Sequence, residues 1–221
     1  SSIKAGLLNC YQCRRSTPCW INVIEAGNLM SRILSIVQVG HPVLREPTAE
    51  LTPEALQTDE IQQFIDDLIA TMRAANGAGL AANQVYQSLR ICAIEVRDNP
   101  RYPYRPNIPL TILINPVLTP VGTEMFENYE GCLSVPNLRG KVQRYCEIDV
   151  SALDRHGNPI NDRVRGMTAA TYQHEVDHLL GMLFLDRVED STSLVTWDNF
   201  ERYHRAQVAE NVQQLVDRYG S

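Results

Sequence analysis

The sequence predicts a mixed α+β fold. Three observations carry this: an amphipathic helical repeat over 51–75, a strictly alternating run at 146–152 that passes through a turn into a further strand, and an apolar helical stretch at about 168–181. At 221 residues with 44% hydrophobic content, the chain can bury one sizeable core and lies near the upper end for a single domain. The expected organisation is an N-terminal extension over 1–29 and one domain over 30–221.

Taken in order, the first strong element begins at Thr52 and Pro53, an N-cap before a first-turn proline. Leu56, Ile61, Phe64, Ile65, Leu68, Ile69 and Met72 then recur at helical spacing. RICAIEV (90–96) and TILINPV (111–117) are short β-rich runs. In CEIDVSA (146–152), Cys146, Ile148, Val150 and Ala152 share one face, and DRHGNP (154–159) reads as the turn of a hairpin spanning 145–168. Helix returns at 168–181, where Gly181 is a natural terminator. Phe200, Tyr203, Val208, Val212, Leu215 and Val216 mark a terminal amphipathic helix over about 193–218. There is no internal repeat and no low-complexity segment.

Charge and composition exclude several classes. The 20 Lys+Arg against 26 Asp+Glu give a net charge of -6, which speaks against a broad phosphate-binding surface and so against a specific nucleic-acid partner. No run approaches the roughly 18 apolar residues of a membrane span, and no secretory signal pattern is present. Six cysteines in a chain of this length read as free thiols or metal ligands. Cys10, Cys13 and Cys19 cluster near the start without a fourth ligand at zinc-finger distance, so no structural zinc is expected there. Residues 1–24 carry Lys4, Arg14 and Arg15 and no acidic residue, as in a transit remnant, an expression extension or a natural tail, with Met30 a plausible internal start. The expected location is the cytoplasm, or an organelle matrix if the first 29 residues are a transit remnant.

Three stretches carry chemistry. In TYQHEVDHLLG (171–181), His174 and His178 lie four apart and project from one helical face. Glu175 sits about 100° round the helix, able to reach a metal-bound water without being a ligand. The apolar continuation through Leu179, Leu180 and Met182 to Leu185 implies a buried helix, and buried histidines and carboxylates need partners or a metal. Two histidines leave a catalytic site short of its third ligand. Glu189 and Asp190 are downstream candidates, and Cys132 in NYEGCLSVP (128–136) is a better one upstream. NGAGLAANQV (76–85) reads by itself as a helix terminator and loop, and it lacks the third glycine of a dinucleotide fingerprint.

Together and in this order the three stretches resemble the peptide deformylase family, marked by a GxGLAAxQ segment, an EGCLS segment and an HExDH helix. Here these are Gly77 to Gln84, Glu130 to Ser134 and His174 to His178, and the resemblance runs from about 31 to about 188, including GHPVLR (40–45). One departure is Asn83, where the family most often has proline. The resemblance implies an α+β architecture of mixed and antiparallel strands around a buried metal-binding helix, with the metal at a cleft and a C-terminal helix beyond.

Carried over, the resemblance makes Cys132, His174 and His178 the metal ligands and Glu175 the general base and acid. It assigns the oxyanion to the metal, the Gln84 side-chain amide and the Leu133 N–H. A hydroxide generated at the metal would attack the formyl carbon of an N-formyl-methionyl nascent peptide, releasing formate. Asp177 would pair with Arg144 to brace the helix. Gly77, Ala78, Gly79 and Arg139 would contact the substrate, with an extended peptide adding as a strand. The implied cofactor is one divalent ion per chain, Fe²⁺ natively, with Zn²⁺, Ni²⁺ or Co²⁺ able to occupy purified protein; the ligand set itself suits all four. The chain is expected to act as a monomer. Residues 193–221 mix Arg202, Arg205 and Arg218 with Asp198, Glu201, Glu210 and Asp217 and form no basic patch, which leaves transient ribosome contact a minor expectation. A zinc endopeptidase and a protein with a purely structural metal are the alternatives, and formate release against internal peptide cleavage separates them.

Overall fold

A computed structural model describes residues 31–99 and 103–221. The expectations on residues 1–29, including the Cys10, Cys13 and Cys19 cluster, lie outside the described residues.

The helical repeat of 51–75 is realised as two helices, α1 (Pro53–Leu56) and α2 (Asp59–Ala74). The break has a local cause. Thr58 takes an extended conformation and its hydroxyl accepts the Ile61 N–H, so a second N-cap starts a second helix. After α2 come the three-residue strand β1 (Gly79–Ala81), a 3-10 turn over 82–85 and β2 (Ile91–Val96). The long strands β3 (Ile108–Pro120), β4 (Met125–Cys132) and β5 (Val135–Tyr145) follow, then the expected hairpin of β6 (Glu147–Leu153) and β7 (Pro159–Arg165). The metal-motif helix is α3 (Gly166–Leu179). A two-residue strand β8 (Val195–Thr196) precedes α4 (Trp197–Tyr203) and α5 (Arg205–Tyr219), so the terminal helix is interrupted at His204.

The strands form two sheets, β1-β2-β3-β6-β7 and β4-β5-β8, and every pairing between named strands is antiparallel. Period-two alternation makes the larger sheet two-faced. Ile91 and Ala93 of β2 join Ile65, Leu68 and Met72 of α2 in one apolar layer. Cys92 and Ile94 join Ala169, Tyr172 and Leu179 of α3 in another. Each fully buried Leu or Ile contributes roughly 1.5–3 kcal/mol, so both layers are substantial.

Nearly every residue of α3 is buried. A helix covered all round must find partners for its ends as well as its sides. At its start, the Met167 N–H donates to the Ser221 carbonyl and the Gly166 N–H to the Cys146 carbonyl. At its end, Gly181 takes a φ of +78°, and the Gly181 and Met182 N–H groups donate to the His178 and Asp177 carbonyls. Among the described residues no helix is long and apolar enough to cross a membrane.

Candidate metal centre and active site

The centre is assembled from three elements. Cys132 ends β4, immediately before the turn into β5; His174 and His178 lie on the same face of α3; Gln84 lies in the 3-10 turn after β1. One ligand atom from each of Cys132, His174 and His178 lies within 4.8 Å of the other two. Cys132 Sγ is 3.2 Å from His178 Nε2, and the imidazole centroids are 4.9 Å apart, nearly perpendicular. All three side chains are buried. Glu189 and Asp190 do not join this group; the Asp190 carboxylate caps the 3-10 turn at Thr192 instead.

His174 and Cys132 are held by side-chain and backbone neighbours, and His178 through its backbone. His174 Nδ1 lies 2.7 Å from Glu130 Oε2, so Nδ1–H donates to the carboxylate and Nε2 is left with its lone pair for a metal. The Gln84 side-chain amide and the Ser134 N–H donate to Cys132 Sγ at 3.3 and 3.4 Å. Asn83 Nδ2 donates to the His178 carbonyl. Glu130 is in turn held by Arg144, whose Nε and a terminal nitrogen each bond one carboxylate oxygen at 2.8 Å. The other arm of Arg144 reaches Asp177 at 2.6 Å, the pairing expected from the sequence, and Arg187 closes the outer side of Asp177. A continuous polar chain therefore runs from His174 through Glu130, Arg144 and Asp177 to Arg187.

The electrostatics follow from this chain. Burial alone would raise Glu130, but the Arg144 charge and its hydrogen bonds, with His174 beside it, hold the carboxyl well below the usual range. Burial pushes the Cys132 thiol up, yet the attraction of His178 and the hydrogen bonds and charge of both histidines outweigh it and bring the thiol well down. Burial lowers His174, and Glu130 and Cys132 more than reverse that. Glu175 moves the other way. Burial lifts it to about 7, against the partial relief of the two histidines. One of its oxygens has no hydrogen-bond partner among the described residues. A thiolate-prone sulfur and two imidazoles fit a late first-row divalent cation far better than Mg²⁺ or Ca²⁺, which prefer oxygen.

The residues expected around the metal line one cleft: Gly77, Ala78, Gly79, Gln84, Leu133 and Glu175. Gly79 is there for space. A Cβ on it would fall 2.3 Å from Glu175 Oε1, so the strand edge approaches the carboxylate only with no side chain. Arg139 is placed elsewhere. It is fully buried on β5, its guanidinium 4.1 Å from the Trp197 ring centroid and 4.4 Å from that of Phe200, and it does not line the cleft. Sequence reasoning missed the Glu130 bond to His174, the Asn83 bond to His178, and Arg105 and Thr171 at the cleft. Glu130 stood inside a quoted motif, and its carboxylate between two polar motifs was the available signal; nothing in the sequence marked Arg105.

Comparison with known proteins identifies the family. The family model described as polypeptide deformylase matches residues 33–193. A protein of Nostoc sp. named peptide deformylase 2 is 44% identical over 169 residues, 76% of this chain and 93% of that one. Peptide deformylase 1 of Prochlorococcus marinus is 45% identical over 163 residues, covering 73% and 83%. Among solved structures, the Met-Ala-Ser-bound class I type b peptide deformylase of Acinetobacter baumannii matches with a TM-score of 0.69 at 38% identity, covering 72% of this chain and 100% of that one. The Thermotoga maritima peptide deformylase gives 0.64 at 30% identity, covering 72% and 99%. With its motifs gathered at one buried centre and relatives matched over most of their length, the chain belongs to the peptide deformylase family, metallohydrolases that remove the N-formyl group from nascent peptides.

Proposed function

We propose that Cys132, His174 and His178 hold one divalent metal ion, Fe²⁺ in the native protein, and that Glu175 is the proton carrier for hydrolysis of N-formyl-methionyl peptides. The observation that carries this reading is Glu175 itself: a buried carboxyl beside a three-donor cluster, with one oxygen unpartnered and a pKa lifted to about 7. A group poised near neutrality can both take and return a proton.

A cation on the three donors would acidify water and polarise the formyl carbonyl. Everything else is done by the chain. Glu175 takes the proton from the attacking water as its oxygen bonds to the formyl carbon. The Leu133 N–H and the Gln84 amide donate to the carbonyl oxygen as it gains charge. Gln84 gives its donors to Cys132 Sγ and Ser134 Oγ, so it meets substrate by exchanging one of them. Glu175 then gives its proton to the departing nitrogen as the C–N bond breaks, leaving formate and a free amine. The open edge of β1 accepts the peptide backbone as an added strand, since β1 ends its sheet.

The test is incubation with formyl-Met-Ala-Ser and with an unformylated peptide. Formate released in step with free amine is expected; internal cleavage without formate would move the reading to an endopeptidase. Metal content and rate after anaerobic preparation, against preparation in air, test the iron assignment. The reading includes a monomer working in the cytoplasm, which sedimentation and fractionation check.

A further inference from the structure

Among the described residues lining the cleft, Arg105 carries the only guanidinium or ammonium group. It stands half-buried in the segment between β2 and β3, with a terminal nitrogen 3.5 Å from Thr171 Oγ1. Its neighbours across the cleft, Glu130 and Glu175, are acidic. The reaction described above needs no cation at this end of the cleft.

The position of Arg105 relative to the chemistry can be read from two elements. On β1, the reacting end is marked by Gly79, next to the Glu175 carboxylate. Just before the strand, the carbonyls of Gly77 and Asn76 accept from Asn99 Nδ2, on the segment that leads to Arg105. On α3, Thr171 precedes His174 by three residues and Glu175 by four, about 4.5–6 Å along the axis. An extended peptide advances about 3.3 Å per residue. A substrate running antiparallel to β1, its formyl group at Glu175, thus brings the residue after the formylated one alongside Thr171 and Arg105.

We propose that Arg105 is a specificity residue, binding the side-chain carboxylate of an acidic second residue in the formylated peptide. This deepens the deformylase reading and rests on it. A carboxylate there meets a cation in a half-buried setting, whereas a lysine meets Arg105 as a like charge. The ion pair forms in the ground state and the transition state alike, so the preference is expected mainly in KM.

The test measures kcat/KM for formyl-Met-Glu-Ser and formyl-Met-Lys-Ser on the native protein, Arg105→Met and Arg105→Glu. The native protein is expected to favour the glutamate peptide by about five- to tenfold at low salt, the size of a partly exposed ion pair, and less at high salt. Arg105→Met should bring the ratio to one or below, and Arg105→Glu should invert it. The ratio is internal to each protein, so a general loss of rate or metal cancels. Arg105→Met alone suffices if a carboxylate at this position prevents folding. A native ratio of one, or a preference unchanged in Arg105→Met, would overturn the assignment. Turnover of formyl-Met-Ala-Ser reports separately on the deformylase reading. If that reading failed, calorimetric binding of Met-Glu-Ser against Met-Lys-Ser would still read the preference without catalysis.

Discussion

Asn83 Nδ2 donates to the backbone carbonyl of His178 at 2.5 Å, with both residues buried. One short side chain thereby ties the turn that carries Gln84 to the last turn of α3. Losing a buried hydrogen bond of this kind costs about 1–3 kcal/mol. Asn83→Ala is expected to lower the melting temperature of the metal-free protein and to speed metal loss by roughly tenfold or more, which that energy allows. Metal release to a chelator measures it, and an unchanged release rate would show that the bond does not position His178.

Cys132→Ala should abolish tight metal binding, because a thiolate ligand supplies much of the affinity of such a site. Cys92→Ala should not. Cys92 is fully buried on β2 in the layer beneath α3, where burial pushes its thiol well up. Metal analysis after dialysis distinguishes the two; stoichiometric metal in the Cys132 variant would remove it from the ligand set.

Glu175→Gln should keep the metal and lose the rate. The amide has nearly the same shape but cannot take and return a proton, a function worth about 10²- to 10⁴-fold. A turnover number that stayed within tenfold of native at full metal content would be inconsistent with the assigned role.

Gly79→Ala is expected to act on the same carboxylate from the opposite side. The added methyl would lie 2.3 Å from Glu175 Oε1, and the flexible carboxylate, rather than the strand, would give way. Turnover should drop while metal content and melting temperature hold close to native. A rate equal to native would mean that Glu175 tolerates displacement and is not held in a working position by this edge.

Acid should undermine the fold through Glu130. Its folded pKa is depressed below the ordinary 4.5, first against burial by the Arg144 charge and then by hydrogen bonds from Arg144 and His174. A depressed carboxyl contributes its full stability above 4.5, and that contribution is lost as pH falls further toward the folded value. Glu130→Gln, which leaves Arg144 buried with one partner fewer, should cost about 3–5 kcal/mol near neutral pH. The two proteins should converge as the solution is made acidic, and urea unfolding between pH 7 and about pH 3 follows this. Parallel stability curves would show that the pair is not linked to proton uptake.

Much of the site was legible because its residues sit in short stretches with internal geometry. Residues four apart on a helix share a face whatever surrounds them, which is why His174 and His178 could be paired from the sequence. The supports were harder to read because they depend on three-dimensional register. The Glu130 bond to His174 spans 44 residues and exists only because β4 passes α3. Arg139 has the composition of a substrate contact, but β5 pairs with β8 and brings Trp197 and Phe200 over its guanidinium. The single helix expected over 51–75 divides because Thr58 offers a competing cap, a signal overshadowed by the unbroken apolar repeat.

Cys132, His174, His178, Gln84 and Glu175 all lie well beyond Met30, so a chain beginning at Met30 is expected to keep the native rate at equal metal occupancy. Loss of most of that rate would show that the extension takes part in the site.

The limit of such trimming lies only a few residues further on. The Val37 N–H donates to the Gln84 carbonyl at 2.8 Å, and the Val39 N–H to the Ser134 carbonyl at 2.7 Å. Through Val37 and Val39 the stretch 37–39 therefore acts as a clasp between the segment that carries Gln84 and the segment that carries Cys132. Local opening of native proteins proceeds in contiguous units rather than bond by bond. Peeling of this one short stretch would release both segments in a single event while α2, α3 and the large sheet stayed folded. Activity would then vanish at a lower temperature than the helix signal, and the amide hydrogens of Val37 and Val39 would exchange with solvent at the rate of inactivation rather than of global unfolding.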